Sequence, residues 1–168
     1  MFEQDRIWKF RLMRVFRVER EKYLKTILTG IGASLAAGNR WNGLHTKLIY
    51  TSESRALAML EVAVHLDLSE DLPSDRYYVE IDVPDELTIL EVDIDDLPDN
   101  WNAKPPTLST QRIGDDFVAD IEAAILKVPS SIVPDEFNYL INPVHPDAKK
   151  IKVIHKKKMV FDARIKST

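Results

Sequence analysis

The sequence predicts a single α+β domain, and three observations lead to this prediction. The chain has 168 residues, enough for one domain of ordinary size. Apolar residues make up 45% and charged residues 30%, a balance typical of globular rather than disordered proteins. Segments with strand character outnumber helical ones and do not alternate regularly with them, so a doubly wound parallel sheet is not expected.

The first half of the chain contains two predicted strands and one predicted helix. Arg14–Val18 and Lys47–Thr51 are short segments with strand composition. Glu53–Leu66 repeats apolar residues at helical spacing, which predicts a helix. Ser52 or Ser54 can cap its amino end, since a serine oxygen accepts hydrogen bonds from the first turn.

The second half is rich in predicted strands and contains one more helix. Arg76–Val83 alternates and is rich in β-branched and aromatic residues, and Leu87–Val92 is a further strand. Asp115–Leu126 is the second predicted helix, with Gly114 and Asp115 at its start. The late strands lie between proline-containing turns; they are Phe137–Ile141, Ile151–Ile154 and Lys158–Phe161.

Composition excludes several classes of protein. The chain has no cysteine, which removes disulfide frameworks, thiolate zinc sites, iron–sulfur clusters and cysteine nucleophiles. Its net charge of −4 argues against generic nucleic-acid binding. No apolar run approaches the roughly 20 residues of a membrane span, and the charged amino end does not resemble a secretory signal. We therefore expect a cytoplasmic protein, and nothing in the sequence requires a metal.

Charge is distributed unevenly along the chain. Residues 1–25 carry 8 basic and 4 acidic side chains, and residues 149–168 carry 8 basic and 1 acidic. Asp67–Asp99 carries 13 acidic residues and one base, Arg76. The segments either lie close together in the fold as ordinary solvated surface, or form a polarised surface for an anionic ligand or a charged partner.

Glu61 is the most informative single residue. On the predicted helix it lies within about 60° of Leu57 and Val64, at the edge of the apolar face. A carboxylate there is costly unless it is paired, so it is either a boundary residue that reaches water or an arginine, or a carboxylate directed into a cleft. His65, four residues on, is more typical of a surface hydrogen bond than of a metal site.

The segment Gly30–Asn42 is a flexible, glycine-rich loop. It lacks the third glycine of a dinucleotide fingerprint, and Arg40 and Trp41 stand where a P-loop needs lysine and serine or threonine. Such a loop either holds a pyrophosphate with its backbone and Arg40, or is a structural turn with Trp41 in the core. Ser130 follows a proline without a nucleophile elbow, a pattern typical of a turn.

Four blocks of sequence together resemble one known family. They are GIGASLAAGNRWN, LIYTSESRALAMLEVAVH, KVPSSIVPDEFNYLINPVHPDAKKI and a terminal VFDAR. In this order they resemble the RES domain, the toxin component of bacterial RES–Xre toxin–antitoxin systems. The resemblance runs from about Met13 to Arg164. We therefore expect an N-terminal extension at residues 1–12 and a RES domain at residues 13–168.

The resemblance implies four catalytic residues. The family arginine corresponds to Arg40, the tyrosine to Tyr50, the glutamate to Glu61 and the serine to Ser130. Among the substrate-binding residues it implies Arg17, a position that the family places in the pocket.

The resemblance also implies a role for two positions of the glycine-rich loop. Gly38 and Trp41 are expected to contribute to NAD binding. The loop departs from the family at Asn39 and His45, where glycines are usual. Asn39 is expected to tolerate the left-handed backbone conformation, whereas His45 is expected to alter the loop.

What the resemblance implies about fold and activity follows from the family. The fold is expected to be similar to that of ADP-ribosyltransferases, and the activity to be cleavage of the nicotinamide–ribose bond of NAD by phosphate or water. NAD is then a substrate, with inorganic phosphate as a co-substrate, and no prosthetic group is expected. The alternatives are transfer of ADP-ribose to a cellular protein, or a non-catalytic binding module. The implied partner is an Xre-like helix-turn-helix antitoxin that binds the DNA; self-association is left open.

Overall fold

The computed structural model describes residues 13–67 and 70–165, which form a seven-stranded sheet with three α-helices. The strands are β1 Met13–Arg20, β2 Ile49–Ser52, β3 Arg76–Val83, β4 Ile89–Glu91, β5 Ile125–Pro129, β6 Phe137–Ile141 and β7 Lys152–Lys158. The helices are α1 Ile31–Ser34, α2 Arg55–Ala63 and α3 Leu108–Asp120, with 3-10 turns at Glu21–Tyr23, Ile94–Asp96, Pro146–Lys150 and Ala163–Ile165. The strand order is β4-β5-β6-β2-β1-β3-β7, and β4–β5 is the parallel pair. The α+β prediction is confirmed. The expected extension at residues 1–12 lies outside the described residues.

Several predicted elements have the expected bounds. Strands β3 and β6 match the predictions Arg76–Val83 and Phe137–Ile141. Helix α2 lies inside the predicted Glu53–Leu66, and Ser54 is its N-cap, with a side-chain oxygen that accepts from the amide of Leu57. Local spacing was sufficient for these elements because each has a clear period and a clear start signal.

The predicted bounds of the second helix were wrong, and the strand after it was not predicted. The helix was expected at Asp115–Leu126, but α3 covers Leu108–Asp120, and Ile125–Pro129 is strand β5. The apolar run from Ile125 pairs with both β4 and β6, so two neighbouring strands determine its conformation. Gly114 is inside the helix rather than at its start. The position requires glycine, because a Cβ there would lie 1.6 Å from the carbonyl oxygen of Trp41.

Smaller corrections concern three other segments. The two late strands predicted at Ile151–Ile154 and Lys158–Phe161 are the single strand β7. The strand predicted at Leu87–Val92 is shorter, at Ile89–Glu91. The loop Gly30–Asn42 contains the short helix α1.

Oppositely charged segments of the sequence meet in the sheet. Strand β7, rich in lysine, pairs with the acidic strand β3. Glu80 of β3 is 7% exposed and accepts from Arg14 of β1 at 2.7 Å and from Arg55, the first residue of α2, at 2.6 Å. Part of the uneven charge is therefore balanced within the fold, and the Glu80 pairs attach the amino end of α2 to the sheet.

The sheet is interrupted at its centre, between β1 and β2. Strand β1 pairs with β3 along its whole length from Met13 to Arg20, but with β2 at one register position, Phe16↔Ser52. Next to this position the Arg17 side chain donates to the carbonyl oxygen of Tyr50 at 2.8 Å. A side chain thus satisfies a backbone acceptor that a paired strand would otherwise satisfy. None of the described helices is long and apolar enough to cross a membrane.

Helix α3 ends at a residue with an unfavourable backbone conformation. Ile121 has φ 53° and ψ 31°, the left-handed region that β-branched residues rarely adopt, and its side chain is 43% exposed. Ile121→Gly should therefore raise the free energy of unfolding relative to Ile121→Ala by about 1 kcal/mol, measured by urea denaturation. Because both variants remove the same side-chain contacts, a glycine variant no more stable than the alanine variant would contradict this expectation.

Candidate active site

A cleft of about 680 Å³ opens over the interrupted centre of the sheet. It is lined by parts of β1, β2 and α2, by the loop around residues 38–41, by residues 104 and 106, and by the turn at residues 131–132. The volume is in the range of small-molecule sites in proteins. The cleft lies where β1 and β2 share only one register position, so its position follows from the fold.

Glu61 lies in this cleft near the end of α2. It follows Leu57 and Ala58 by four and three residues, and these are the fully buried residues of the helix. The prediction that Glu61 lies at the edge of the apolar face is consistent with this placement. The exposed part of the predicted face is Val64, which follows the helix and is 48% exposed.

A short hydrogen-bond chain ends at the Glu61 carboxylate. The Asn138 amide nitrogen donates to Glu61 Oε1 at 2.6 Å, and the Ser52 hydroxyl donates to the Asn138 amide oxygen at 2.8 Å. Burial raises the pKa of Glu61, while the Asn138 bond and the charges of His65 and Arg40 oppose the increase. Glu61 Oε2 accepts no hydrogen bond from a described residue and is available to a ligand.

Arg40 supplies a positive charge to the same cleft. Its Nη1 donates to the carbonyl oxygens of Trp101 at 2.6 Å and Ala103 at 3.2 Å, which hold the guanidinium in place. Burial lowers the pKa of Arg40, and Glu61 and Tyr50 oppose this effect, but a guanidinium remains charged. Its Nε and Nη2 make no hydrogen bond within the described chain, so they can bind an anion.

Arg17 also lines the cleft, but its charge is already paired. Its Nε and Nη2 donate to Glu19 Oε2 at 3.0 and 2.8 Å, and its Nη1 donates to the Tyr50 carbonyl. These bonds make Arg17 a link across the interrupted strands. Lys104, on the loop before α3, lines the cleft and makes no ion pair with a described residue; sequence analysis did not identify it.

Tyr50 and Trp41 meet at a buried asparagine. The Tyr50 hydroxyl donates to Asn42 Oδ1 at 2.7 Å and accepts from the Trp41 amide at 3.1 Å. Asn42 is fully buried, and its amide donates to the carbonyls of Ala33, Gly43 and Thr46. Burial raises the pKa of Tyr50, so its hydroxyl stays protonated. The Tyr50 hydroxyl therefore holds the glycine-rich loop, and its ring borders the cleft.

The Trp41 ring belongs to the core. Its side chain is 3% exposed and its ring centroid lies 6.2 Å from that of Trp101. Of the two interpretations of the loop, the structure favours a core role for this ring, although Trp41 still borders the cleft. Gly38 also borders the cleft, and a Cβ there would meet open space, so no close contact requires glycine.

Ser130 is held in a turn beside the cleft. It is 6% exposed, and its oxygen accepts from the amides of Ile132 and Val133, both at 3.1 Å. Ser131 and Ile132 line the cleft, whereas Ser130 is not among the described lining residues. The turn interpretation agrees with this geometry. A catalytic role for Ser130 stays a prediction.

The two departures in the glycine-rich loop have different consequences. His45 has φ 71°, the left-handed conformation that glycine adopts most readily, and its amide donates to the Ser34 carbonyl. The expected change of loop conformation at His45 stays a prediction. Asn39 does not use a left-handed conformation; its side chain donates to the carbonyls of Ala33 and Ala36.

Sequence reasoning missed Asn138 and Ser52 as site residues. They lie on strands 86 positions apart in the chain and meet because Ser52 and Asn138 are register partners of β2 and β6. No local sequence pattern predicts such a pair, because it forms only when the two strands are adjacent. The described residues contain no cluster of three or more potential metal ligands.

Comparison with known proteins supports one family. The RES domain model matches residues 14–162. The chain belongs to the RES family. The Prs ADP-ribosylating toxin of Sphingobium sp. (strain YBL2) is 46% identical over 140 residues, covering 82% of this chain and 86% of the relative. A toxin named Toxin Res from Photorhabdus laumondii is 36% identical over 155 residues, covering 91% and 97%. The resemblance seen in the sequence is confirmed.

A solved structure supports the fold. A chain of the M. tuberculosis MbcT–MbcA toxin–antitoxin complex matches with a TM-score of 0.70 and 16% identity, covering 88% of this chain and 84% of that chain. The expectation of a single α+β domain with a fold similar to that of ADP-ribosyltransferases is confirmed.

Tyr50→Phe tests the structural role of the Tyr50 hydroxyl. The variant leaves Asn42 Oδ1 without its buried donor. We expect the free energy of unfolding to fall by about 1–3 kcal/mol, measured by urea denaturation. Tyr139→Phe, a tyrosine of β6 whose hydroxyl makes no hydrogen bond with a described residue, is the matched control. Equal stability of the two variants would contradict the proposed role.

Proposed function

We propose that this RES-family chain is the toxin of a toxin–antitoxin pair and that it breaks the nicotinamide–ribose bond of NAD. The observation that carries the proposal is the Glu61 carboxylate: it lies in the central cleft, Asn138 holds one of its oxygens, and the other is open to a ligand. The names of the relatives, which are toxins, support the assignment.

The chemistry of NAD suits this carboxylate. Nicotinamide leaves a cationic pyridinium as a neutral molecule, so its departure requires no general acid. The barrier lies in the ribose, which develops positive charge as the bond breaks, as in other glycosyl transfers. Glu61 Oε2 would accept from a ribose hydroxyl and stabilise that charge from a partly dehydrated position, where electrostatic interactions are strong.

The positive groups of the cleft would bind the diphosphate. Arg40 is held by two carbonyls and keeps free donors, which suits a forked interaction with phosphate oxygens. The charge of Arg17 is already paired with Glu19, so its role would be to hold the Tyr50 backbone through the carbonyl oxygen. The Tyr50 ring would pack against nicotinamide or ribose, and Gly38 and Trp41 of the loop also line the cleft. Such positioning can supply several kcal/mol of the rate enhancement.

The acceptor of ADP-ribose distinguishes two versions of the activity. In the first, phosphate or water attacks the ribose and NAD is depleted. The second, transfer to a cellular protein, is favoured by one observation: the relative at 46% identity is named an ADP-ribosylating toxin.

The remaining alternative is a non-catalytic binding module, which was considered because Asn39 and His45 depart from the family pattern. Both residues are accommodated in a formed loop, which argues against this alternative.

A protein that consumes NAD in the cytoplasm would harm its own cell, so we propose an antitoxin partner of the Xre-like helix-turn-helix class. The structural neighbour comes from a toxin–antitoxin complex, which supports a partner of this kind. The DNA binding would belong to that partner.

Nicotinamide release from NAD by the purified chain tests the function. Release that rises with phosphate indicates a phosphorylase, and release independent of phosphate indicates a hydrolase. Label transfer from NAD to a protein of a bacterial lysate, without release in buffer, indicates the protein-modifying version. No turnover under any of these conditions by folded, antitoxin-free protein would overturn the proposal.

Glu61→Gln should lower the rate of nicotinamide release by at least about a hundredfold, because the amide cannot balance the developing charge.

The same variant should also change the stability of the protein. The folded pKa of Glu61 is raised above its unfolded value, so ionisation of Glu61 lowers the free energy of unfolding as pH rises through the interval between the two pKa values. The variant should therefore be more stable than the unaltered protein at pH 7, and the difference should shrink in acid. Glu122→Gln, at an exposed position, is the control and should change neither property. An active Glu61→Gln variant would contradict the mechanism.

The pH profile of kcat/KM gives a second test. Activity requires ionised Glu61, so it should fall in acid with a midpoint above the usual glutamate pKa of 4.5, because burial raises the pKa of Glu61. In His65→Gln the fall should persist and move to higher pH, because a charged His65 favours the carboxylate. A fall that disappears in this variant would assign the titration to His65 instead.

A further inference from the structure

Asn138 connects Glu61 to the sheet. It lies on β6, is 9% exposed, and stands directly opposite Ser52 of β2, which is 3% exposed. The Ser52 hydroxyl, the Asn138 amide and the Glu61 carboxylate form one continuous chain of hydrogen bonds of 2.8 and 2.6 Å. Two strands and a helix thus converge on one carboxylate.

The chemistry of the three groups permits one orientation of the amide when Glu61 is ionised. A carboxylate can only accept, so the NH₂ end of Asn138 must face Glu61. The oxygen end then faces Ser52, whose hydroxyl can rotate to donate. Both ends of a nearly buried amide are therefore satisfied, and a flipped amide would place its oxygen against the carboxylate.

We propose that Asn138 is the positioning residue for Glu61, and that Ser52 sets the orientation of its amide. The inference rests on the proposed function for its catalytic consequence. A glutamate side chain near a helix end has several rotamers, and selecting one costs conformational entropy before any substrate binds. Asn138 holds Oε1, so that Oε2 is the oxygen presented to the ribose. Neither Asn138 nor Ser52 needs to contact the reacting atoms for this role.

Other charged groups also affect the pKa of Glu61, so a test must separate their effect from that of the Asn138 hydrogen bond. Arg40, from the loop before β2, and His65, after the end of α2, both favour the carboxylate. Arg17 of β1 and Lys104 line the same cleft. Asn138 is the described group that donates a hydrogen bond to the carboxylate, so its removal should have an effect that remains in a His65→Gln background.

The first readout is made on the unaltered protein and needs no activity; a variant serves only to assign the Glu61 signal. In the unaltered protein the Glu61 carboxyl carbon and the Asn138 side-chain amide are followed by NMR as pH changes, with Glu61 assigned by the loss of its signal in Glu61→Gln. We expect the amide signals to move with the same midpoint as the carboxyl carbon. An Asn138 amide that does not respond to this titration would overturn the proposal.

The second readout uses three variants. Asn138→Leu removes the donor, and Asn138→Asp replaces it with a second carboxylate of the same shape; both should move the Glu61 midpoint to higher pH, the aspartate further. Ser52→Ala should move it in the same direction by less. Ser34→Ala removes another nearly buried hydroxyl, which donates to the Ile31 carbonyl outside the cleft, and should leave the midpoint unchanged.

Kinetics then separate the positioning role from the function itself. In an active protein Asn138→Leu should lower kcat by about tenfold to a hundredfold, the worth of a hydrogen bond to a charged group, with a smaller change in KM. Unchanged kcat and an unchanged Glu61 midpoint would overturn positioning while leaving the function intact. Coupled titration in a protein that releases no nicotinamide and modifies no protein would support positioning and overturn the function. If Asn138→Leu does not fold, the isosteric Asn138→Asp carries the same comparison.

Discussion

The position of the cleft depends on the interruption of the sheet between β1 and β2. Two central strands that share one register position leave backbone groups unpaired, and a sheet tolerates this only if something else satisfies them. The Arg17 side chain does so for the Tyr50 carbonyl, and its charge is balanced by Glu19. The space between the strands becomes the cleft. Its borders are therefore two strands, a helix and a loop that no short stretch of sequence contains.

Burying a carboxylate in this cleft has a cost that the surrounding groups reduce without removing. Burial raises the pKa of Glu61, and Asn138, Arg40 and His65 offset part of the increase. Only one oxygen of the carboxylate is held by Asn138, so under the proposed function the other could accept a hydrogen bond from a substrate. The glycine-rich loop is also held by hydrogen bonds within the chain, since Asn42 connects it to the carbonyl of Ala33 and to the hydroxyl of Tyr50.

How much the sequence could predict depended on how local the signal was. Strand β3 and the cap at Ser54 follow from patterns a few residues long, as does the location of Glu61 on its helix. The predicted second helix ran into the first two residues of strand β5, and the rest of that strand was missed; its conformation depends on pairing with the two neighbouring strands. Asn138 could not be found at all, since its role exists only after β2 and β6 have paired.

The family resemblance identified more of the candidate site residues than local sequence patterns did. It brought Arg40, Tyr50 and Glu61 to the same cleft, where the structure also places them. It did not indicate that Ser130 is engaged in its own turn, or that His45 has a left-handed backbone conformation. These details depend on φ angles and on hydrogen bonds between distant segments, which motif spacing does not encode.

A crystal structure of the Glu61→Gln variant with intact NAD would show directly whether the cleft holds the substrate. We expect NAD to occupy the cleft over the interrupted strands, with a nicotinamide-ribose hydroxyl within hydrogen-bond distance of the side chain at position 61 and the diphosphate against Arg40. NAD bound elsewhere on the protein, or in the cleft with its ribose directed away from position 61, would contradict it.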